Sequence, residues 1–160
     1  MAQAKTNVQR ILEKEKIPYI PHSFTVEEEH LDGVTAAERI GLPAERVYKT
    51  LVTRGASKGL FVFVIPVAAE LDLKAAARAV GEKSVAMIAV KELLPLTGYV
   101  RGGCSPVGMK KRYPTVIDES ALQFDAIAVS AGHRGMQIEL SPKALAALVG
   151  AAFKPVTHAP

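Results

Sequence analysis

A chain of 160 residues that is 49% hydrophobic can bury the core of one ordinary domain, and 1–160 is read as a single domain. One cysteine excludes an intrachain disulfide, no residues show metal-ligand spacing and no apolar run is long enough to cross a bilayer, so no metal, cofactor or membrane is expected and a reducing cytoplasm fits. The net charge of +4 favours anionic partners such as RNA or phosphate esters, with an ordinary solvated basic face as the alternative.

Thr6 with Gln9 three residues on predicts a capping box, and Val8, Ile11 and Leu12 follow at helical spacing until Pro18 forbids continuation. Residues 19–26 are rich in β-formers. After the acidic stretch 27–33, Thr35-Ala36-Ala37-Glu38 predicts a second capping box, opening a short helix that Gly41 closes. Two β-rich runs, 47–53 and 60–66, are joined through 54–59, whose glycines suit a hairpin.

Asp72 caps a helix over 73–80 that ends at Gly81, and a short strand at 85–88 and a helical piece at 90–96 follow. Strands are expected at 115–117, 126–130 and 136–140, then a closing helix introduced by Ser141 at the cap and Pro142 in the first turn. Helices and strands alternate irregularly rather than as strict βαβ units. That order predicts an α+β fold, with a mixed, mainly antiparallel, barrel-like sheet surrounded by helices.

Three segments carry residues suited to chemistry. In Val47-Tyr48-Lys49-Thr50-Leu51, period-two alternation places Lys49 on one face with Val47 and Leu51. A lysine between apolar neighbours is costly to desolvate unless it meets an anion or a carbonyl, as a substrate pocket supplies; an edge strand whose lysine reaches water is the alternative. The run 98–108 holds four glycines and a proline in eleven residues, which suits either a plain turn or a loop whose backbone N–H groups approach an anion. The third, Ser130-Ala131-Gly132-His133-Arg134-Gly135, is a strand end followed by a glycine-rich turn with two potential cations.

Other candidates are weaker. His22, His30, His133 and His158 are scattered without a zinc pattern. Cys104 has no evident base partner and reads as packing, and no nucleophile-elbow motif supports Ser105 or Ser130 as a nucleophile. The densest basic run, Lys110-Lys111-Arg112, follows the glycine-rich loop, and Arg101 precedes it.

These segments resemble the YbaK/EbsC family of freestanding aminoacyl-tRNA deacylases, relatives of the editing domain inserted in bacterial prolyl-tRNA synthetases. The likeness runs through Val47-Tyr48-Lys49-Thr50-Leu51, Pro66-Val67-Ala68, Leu71-Asp72-Leu73-Lys74 and Thr97-Gly98-Tyr99. It continues through Gly102-Gly103-Cys104-Ser105-Pro106-Val107-Gly108-Met109-Lys110-Lys111, Pro114-Thr115-Val116-Ile117-Asp118, the 129–135 turn and Ile138-Glu139-Leu140.

The resemblance implies trans-editing of mischarged tRNA, chiefly Cys-tRNA(Pro), with the family's key lysine falling on Lys49. The substrate cysteine's own thiol would attack its ester, Gly102 and Gly103 would supply backbone donors, and prolyl-tRNA synthetase is the implied protein partner. Phe24, Tyr48, Ser105, Pro106, Ser130, Gly132 and Gln137 are the implied substrate-binding residues. Arg101, Lys110, Lys111 and Arg112 would meet the tRNA backbone. Phe24 stands where relatives often carry tyrosine, Gln137 where they often carry aspartate, and Cys104 replaces a usual aliphatic residue. Clearance of Ala-tRNA(Pro) or another small aminoacyl-tRNA, a non-catalytic RNA- or nucleotide-binding module, and a serine or cysteine esterase are the competing readings.

Overall fold

The computed structural model describes residues 5–25 and 33–158. The acidic stretch 27–32 with His30, and the last residue of the β-rich run 19–26, lie outside the described residues. Helix α1, Asn7–Lys14, starts as its sequence dictates: the Thr6 hydroxyl accepts the Gln9 N–H at 3.2 Å while the Gln9 side chain accepts the Thr6 N–H at 2.8 Å. Its Val8 and Leu12 are fully buried.

Strand β1, Ile20–Ser23, leads to helix α2, Gly33–Ile40. Thr35 lies inside α2 rather than at its cap, so the expected second capping box does not mark the helix start. Strands β2, Tyr48–Gly55, and β3, Leu60–Pro66, pair antiparallel as a hairpin with Lys49 opposite Ile65. The left-handed residue of the turn is Lys58, at φ 75°, and not a glycine. Gly55 lies under the Glu82 side chain: a Cβ there would stand 2.2 Å from the carboxylate, which accepts the Ser57 N–H and hydroxyl, both at 2.9 Å, so that side chain would have to move.

Helix α3, Leu73–Val80, is capped by Asp72 and closed by left-handed Gly81; strand β4, Val85–Met87, and helix α4, Val90–Thr97, follow. The remaining elements are β5, Thr115–Asp118, β6, Ile127–Ser130, β7, Met136–Leu140, α5, Pro142–Val149, and β8, Ala152–Lys154. The sequence pattern did not single out β8, which pairs parallel with β5. Buried Asp118 fixes this end of the chain, accepting the Val156 N–H at 3.0 Å and the Ser120 N–H at 3.2 Å.

The strands form two sheets. β1-β7-β6 is antiparallel, and β4-β2-β3-β5-β8 is mixed, with parallel pairing of β3 with β5 and of β5 with β8. A parallel bridge between Val47 and Ala128 joins the sheets at the start of β2. The largest core cluster packs α1 and α5 against both sheets through Val8, Leu12, Ile117, Ile127, Ile138 and Leu145. This is the mixed, barrel-like α+β arrangement that the element order predicts.

Candidate active site

On one edge of β2, pairing with β4 begins only at Thr53, and the bridge to β6 involves only Val47. Tyr48 to Leu51 therefore lie where β2 passes from one sheet to the other, and a cleft of about 140 Å³ opens there. The gap explains why four consecutive residues, Val47 to Thr50, line the cleft, whereas strict alternation would offer every second one. The ends of β6 and β7 contribute Ser130 and Gln137, which stand opposite one another in register. Gly102, Cys104, Arg134 and Gly135 bring the two glycine-rich loops to the rim, and Phe24 faces them, its N–H donating to the Gly135 carbonyl at 2.9 Å.

Lys49 is half-buried in this cleft, and burial pushes its ammonium below the ordinary value of 10.5, with the Glu70 charge partly opposing the shift. Among the described residues its ammonium has no hydrogen-bond or ion-pair partner. Two further polar atoms of the lining, Thr50 Oγ1 and Gln137 Oε1, are buried with no partner among the described residues. Thr50 Oγ1 and Gln137 Oε1 are out of contact with solvent, so of these three groups it is the half-buried Lys49 ammonium that a polar ligand could meet directly. Ser130 Oγ accepts the Gly132 N–H at 3.1 Å, leaving its own proton free to be donated into the cleft.

The remaining sequence-derived candidates divide between the cleft and other parts of the fold. Gly102 is at the cleft with φ +87°, but the Gly103 N–H donates to the Val100 carbonyl at 3.0 Å and is not a free oxyanion donor. Gly103 is instead a spacer, since a Cβ there would lie 3.1 Å from the Arg134 nitrogen and 3.2 Å from the His133 carbonyl carbon. Tyr48 sends its side chain into the core, where its hydroxyl meets Ser120 Oγ at 2.7 Å. Ser105 is fully buried, its hydroxyl accepting the Val107 N–H at 3.2 Å. Gly132, at φ +98°, makes room for the Tyr99 ring and Val8 rather than lining the cleft.

Pro106 lines a second cavity on the other side of the loop, with Lys111 and Arg112. Arg101, Lys110, Lys111 and Arg112 are all exposed. Two of them are engaged at helix ends: Lys110 donates to the Pro95 carbonyl in the last turn of α4 at 3.3 Å, and Arg112 to the Leu148 carbonyl in the last turn of α5 at 3.0 Å.

Arg134, one of the two potential cations of the 130–135 turn, is at the cleft, and Thr50, Ala36 and Val67 complete it without having been singled out from the sequence. Cys104 is buried and its thiol is pushed up to about 12 by desolvation, which leaves it without nucleophilic character near neutrality. Among the described residues no three His, Cys, Asp or Glu side chains gather where they could hold a metal ion, and no helix is long and apolar enough to cross a membrane.

The aminoacyl-tRNA editing domain family matches residues 28–148. Over 155 residues, 97% of this chain and 94% of the relative, the sequence is 50% identical to EbsC of Enterococcus faecalis, described as a candidate Cys-tRNA(Pro)/Cys-tRNA(Cys) deacylase. It is 33% identical over 110 residues, 69% of each chain, to the uncharacterized protein YwhH of Bacillus subtilis. A solved structure described as a candidate trans-editing enzyme for prolyl-tRNA synthetase superposes with a TM-score of 0.82 at 24% identity, covering 98% of this chain and 100% of that one, and so shares the fold. With a family match across most of its length and a half-identical relative along nearly all of it, this chain belongs to the aminoacyl-tRNA editing domain family.

Proposed function

We propose that this chain is a trans-editing aminoacyl-tRNA deacylase acting on mischarged tRNA, with Cys-tRNA(Pro) as its principal substrate. The observation that carries the reading is Lys49: a half-buried cation without a partner among the described residues, beside the unsatisfied Thr50 Oγ1 and Gln137 Oε1. An aminoacyl ester with its terminal ribose brings carbonyl and hydroxyl oxygens for the ammonium. The α-amino group brings donors for the polar wall that Ser130, Thr50 and Gln137 form.

No protein nucleophile is needed. The substrate's thiol sulfur attacks its own ester carbonyl, the bond to the ribose oxygen breaks, that oxygen leaves with the thiol proton, and the resulting cyclic thioester is later hydrolysed by water. An intramolecular attack gains chiefly from being held in near-attack geometry, which a narrow cleft with fixed polar groups provides. Lys49 is suited to the oxygen on which negative charge develops. The Gly102 N–H, which makes no backbone hydrogen bond among the described residues, is the loop donor left for the same task.

A cleft of about 140 Å³ also suits alanine and other small aminoacyl groups, so Ala-tRNA(Pro) is the second substrate to test. The protein works in the cytoplasm as a single domain, with prolyl-tRNA synthetase as the partner that presents the tRNA. The test is release of amino acid from Cys-tRNA(Pro) and Ala-tRNA(Pro) by the wild type and Lys49→Ala. Release at the uncatalysed rate by both proteins would overturn the reading. Binding without turnover, weakened by salt, would make the chain an RNA-binding module instead.

A further inference from the structure

The loop 102–109 has two sides. Gly102 and Cys104 face the Lys49 cleft, while Pro106 to Met109 wall a second cavity of about 170 Å³ against α1 and the end of α5. The loop between them is tightly held: the Tyr99 hydroxyl donates to the Val107 carbonyl, Ser105 Oγ accepts the Val107 N–H, and Gly108 adopts φ +77° where a Cβ would stand 3.0 Å from the Tyr99 hydroxyl and 3.1 Å from Ile11 Cδ1. Both cavities therefore share a wall that cannot easily move.

The chemistry of the second cavity is one-sided. Ile11, Val107, Leu148 and Val149 give it apolar walls, and Lys111 and Arg112 give it two cations with no carboxylate among its lining residues. The Lys111 ammonium has no hydrogen-bond or ion-pair partner among the described residues. Arg112 is held in place by the Leu148 carbonyl, and Tyr113 by donation from its hydroxyl to the Leu96 carbonyl at 2.7 Å, so a cation and an aromatic ring are both pre-positioned. Apolar walls with an aromatic ring and unopposed cations match a nucleotide, which joins a flat apolar base to a phosphate. The volume, room for on the order of ten waters, admits a base.

We propose that this cavity is a nucleotide subsite, holding a residue just before the aminoacylated terminal nucleotide of the substrate RNA. The inference rests on the deacylase reading and extends it. Cys104 and Pro106 are joined by two trans peptides, so their Cα atoms are at most about 7.6 Å apart. That is the scale of one or two steps along an extended single strand, so a nucleotide next to the aminoacylated one can reach the second cavity. A 3′ end whose ester lies on Lys49 is thereby gripped on both sides of one rigid loop.

The test compares two substrates carrying the same aminoacyl group, a 3′-aminoacyl-adenosine and a 3′-aminoacyl trinucleotide, with intact Cys-tRNA(Pro) and Ala-tRNA(Pro) as references. The wild type should prefer the trinucleotide by about tenfold or more in kcat/KM, expressed in KM. Lys111→Glu, at an exposed position, should remove most of that preference. The slope of log(kcat/KM) against log salt for the trinucleotide should flatten by about 0.7 in Lys111→Ala, the loss of one phosphate contact on a single strand. Equal wild-type efficiency on the two short substrates, or a preference that survives Lys111→Glu, overturns the subsite while leaving deacylation standing. A wild type inert on both intact tRNAs removes the deacylase reading and the subsite with it.

Discussion

Gly103 rests directly on the backbone of Arg134: a Cβ at position 103 would stand 3.1 Å from the Arg134 nitrogen. Because the opposing atoms are main chain, they cannot swing aside as a side chain would, and one loop would have to shift. The two glycine-rich loops thus meet in a contact that tolerates hydrogen and nothing larger. Gly103→Ala should cost about 1–3 kcal/mol, the usual range for overpacking. It should also lower deacylation, because moving either loop displaces Gly102 or Arg134 at the cleft rim. Chemical denaturation paired with deacylation rates checks both effects, and an alanine variant of unchanged stability would show that the loops can separate freely.

Lys49 couples function to instability. Burial lowers its proton affinity in the folded state below that of the unfolded chain, so the folded protein disfavours the ammonium. The sign follows: the penalty is present in full at neutral pH, where the lysine is charged in both states, and is relieved as pH rises through the folded value towards 10.5. Lys49→Met should therefore raise the thermal midpoint at pH 7 while cutting deacylation by about a hundredfold or more, the scale of losing a charge-stabilising donor. In the wild type, the enzymatic part of the rate, after subtraction of base hydrolysis, should begin to fall at a pH below that at which an ordinary lysine loses its proton. A Lys49→Met protein less stable than wild type would contradict the assignment of this lysine as a desolvated, unpaired cation.

The sequence disclosed most of the frame because its local signals are chemically explicit. Thr6 with Gln9, Asp72 before an alanine-rich run, and Ser141-Pro142 each state a helix start that the structure honours. β8 escaped because Ala152-Phe153-Lys154 is three residues long and gains its place only by parallel pairing with β5, a contact that periodicity does not encode. At the site, the residue types that attract attention in a sequence were legible, but the use made of each hydrogen-bonding group was not. Gly103 looks like a backbone donor until its N–H is found on Val100, and Ser105 like a ligand until its hydroxyl is found inside its own turn. Thr50 was hidden for the opposite reason: alternation assigns it to the face away from Lys49, and only the unpaired edge of β2 brings both into one cleft.

Cys104 separates the positioning mechanism from a thiol-nucleophile enzyme. Its thiol is buried and pushed up to about 12, so its thiolate population near pH 7 is negligible. It packs with Val52 and Val62, and the role that follows is volume. Cys104→Ala should keep deacylation within about threefold of wild type and cost roughly 1 kcal/mol through the small cavity it leaves. The native thiol should also resist alkylation at pH 8 until the protein is unfolded. Loss of turnover in a folded Cys104→Ala protein, or rapid alkylation with parallel inactivation, would restore the cysteine-nucleophile reading.

Thr50 offers the sharpest contrast between the empty and the filled cleft. Its hydroxyl oxygen is buried with no partner among the described residues, and leaving such a group unpaired costs about 1–3 kcal/mol. Valine keeps the shape and removes that cost. Thr50→Val should then stabilise the unliganded protein by about 1 kcal/mol, worth roughly 2–4 °C in thermal midpoint for a chain of this size. If the hydroxyl is there to meet the aminoacyl end, the same substitution should raise KM for the substrate by about three- to tenfold, the usual worth of a hydrogen bond. The opposed signs are what distinguish a binding group from a packing one, since a threonine that merely fills space would lose or gain on both measures together. Thermal melts with and without a non-hydrolysable 3′-aminoacylamino-adenosine decide between them: the variant should melt higher alone and gain less from the ligand than wild type does.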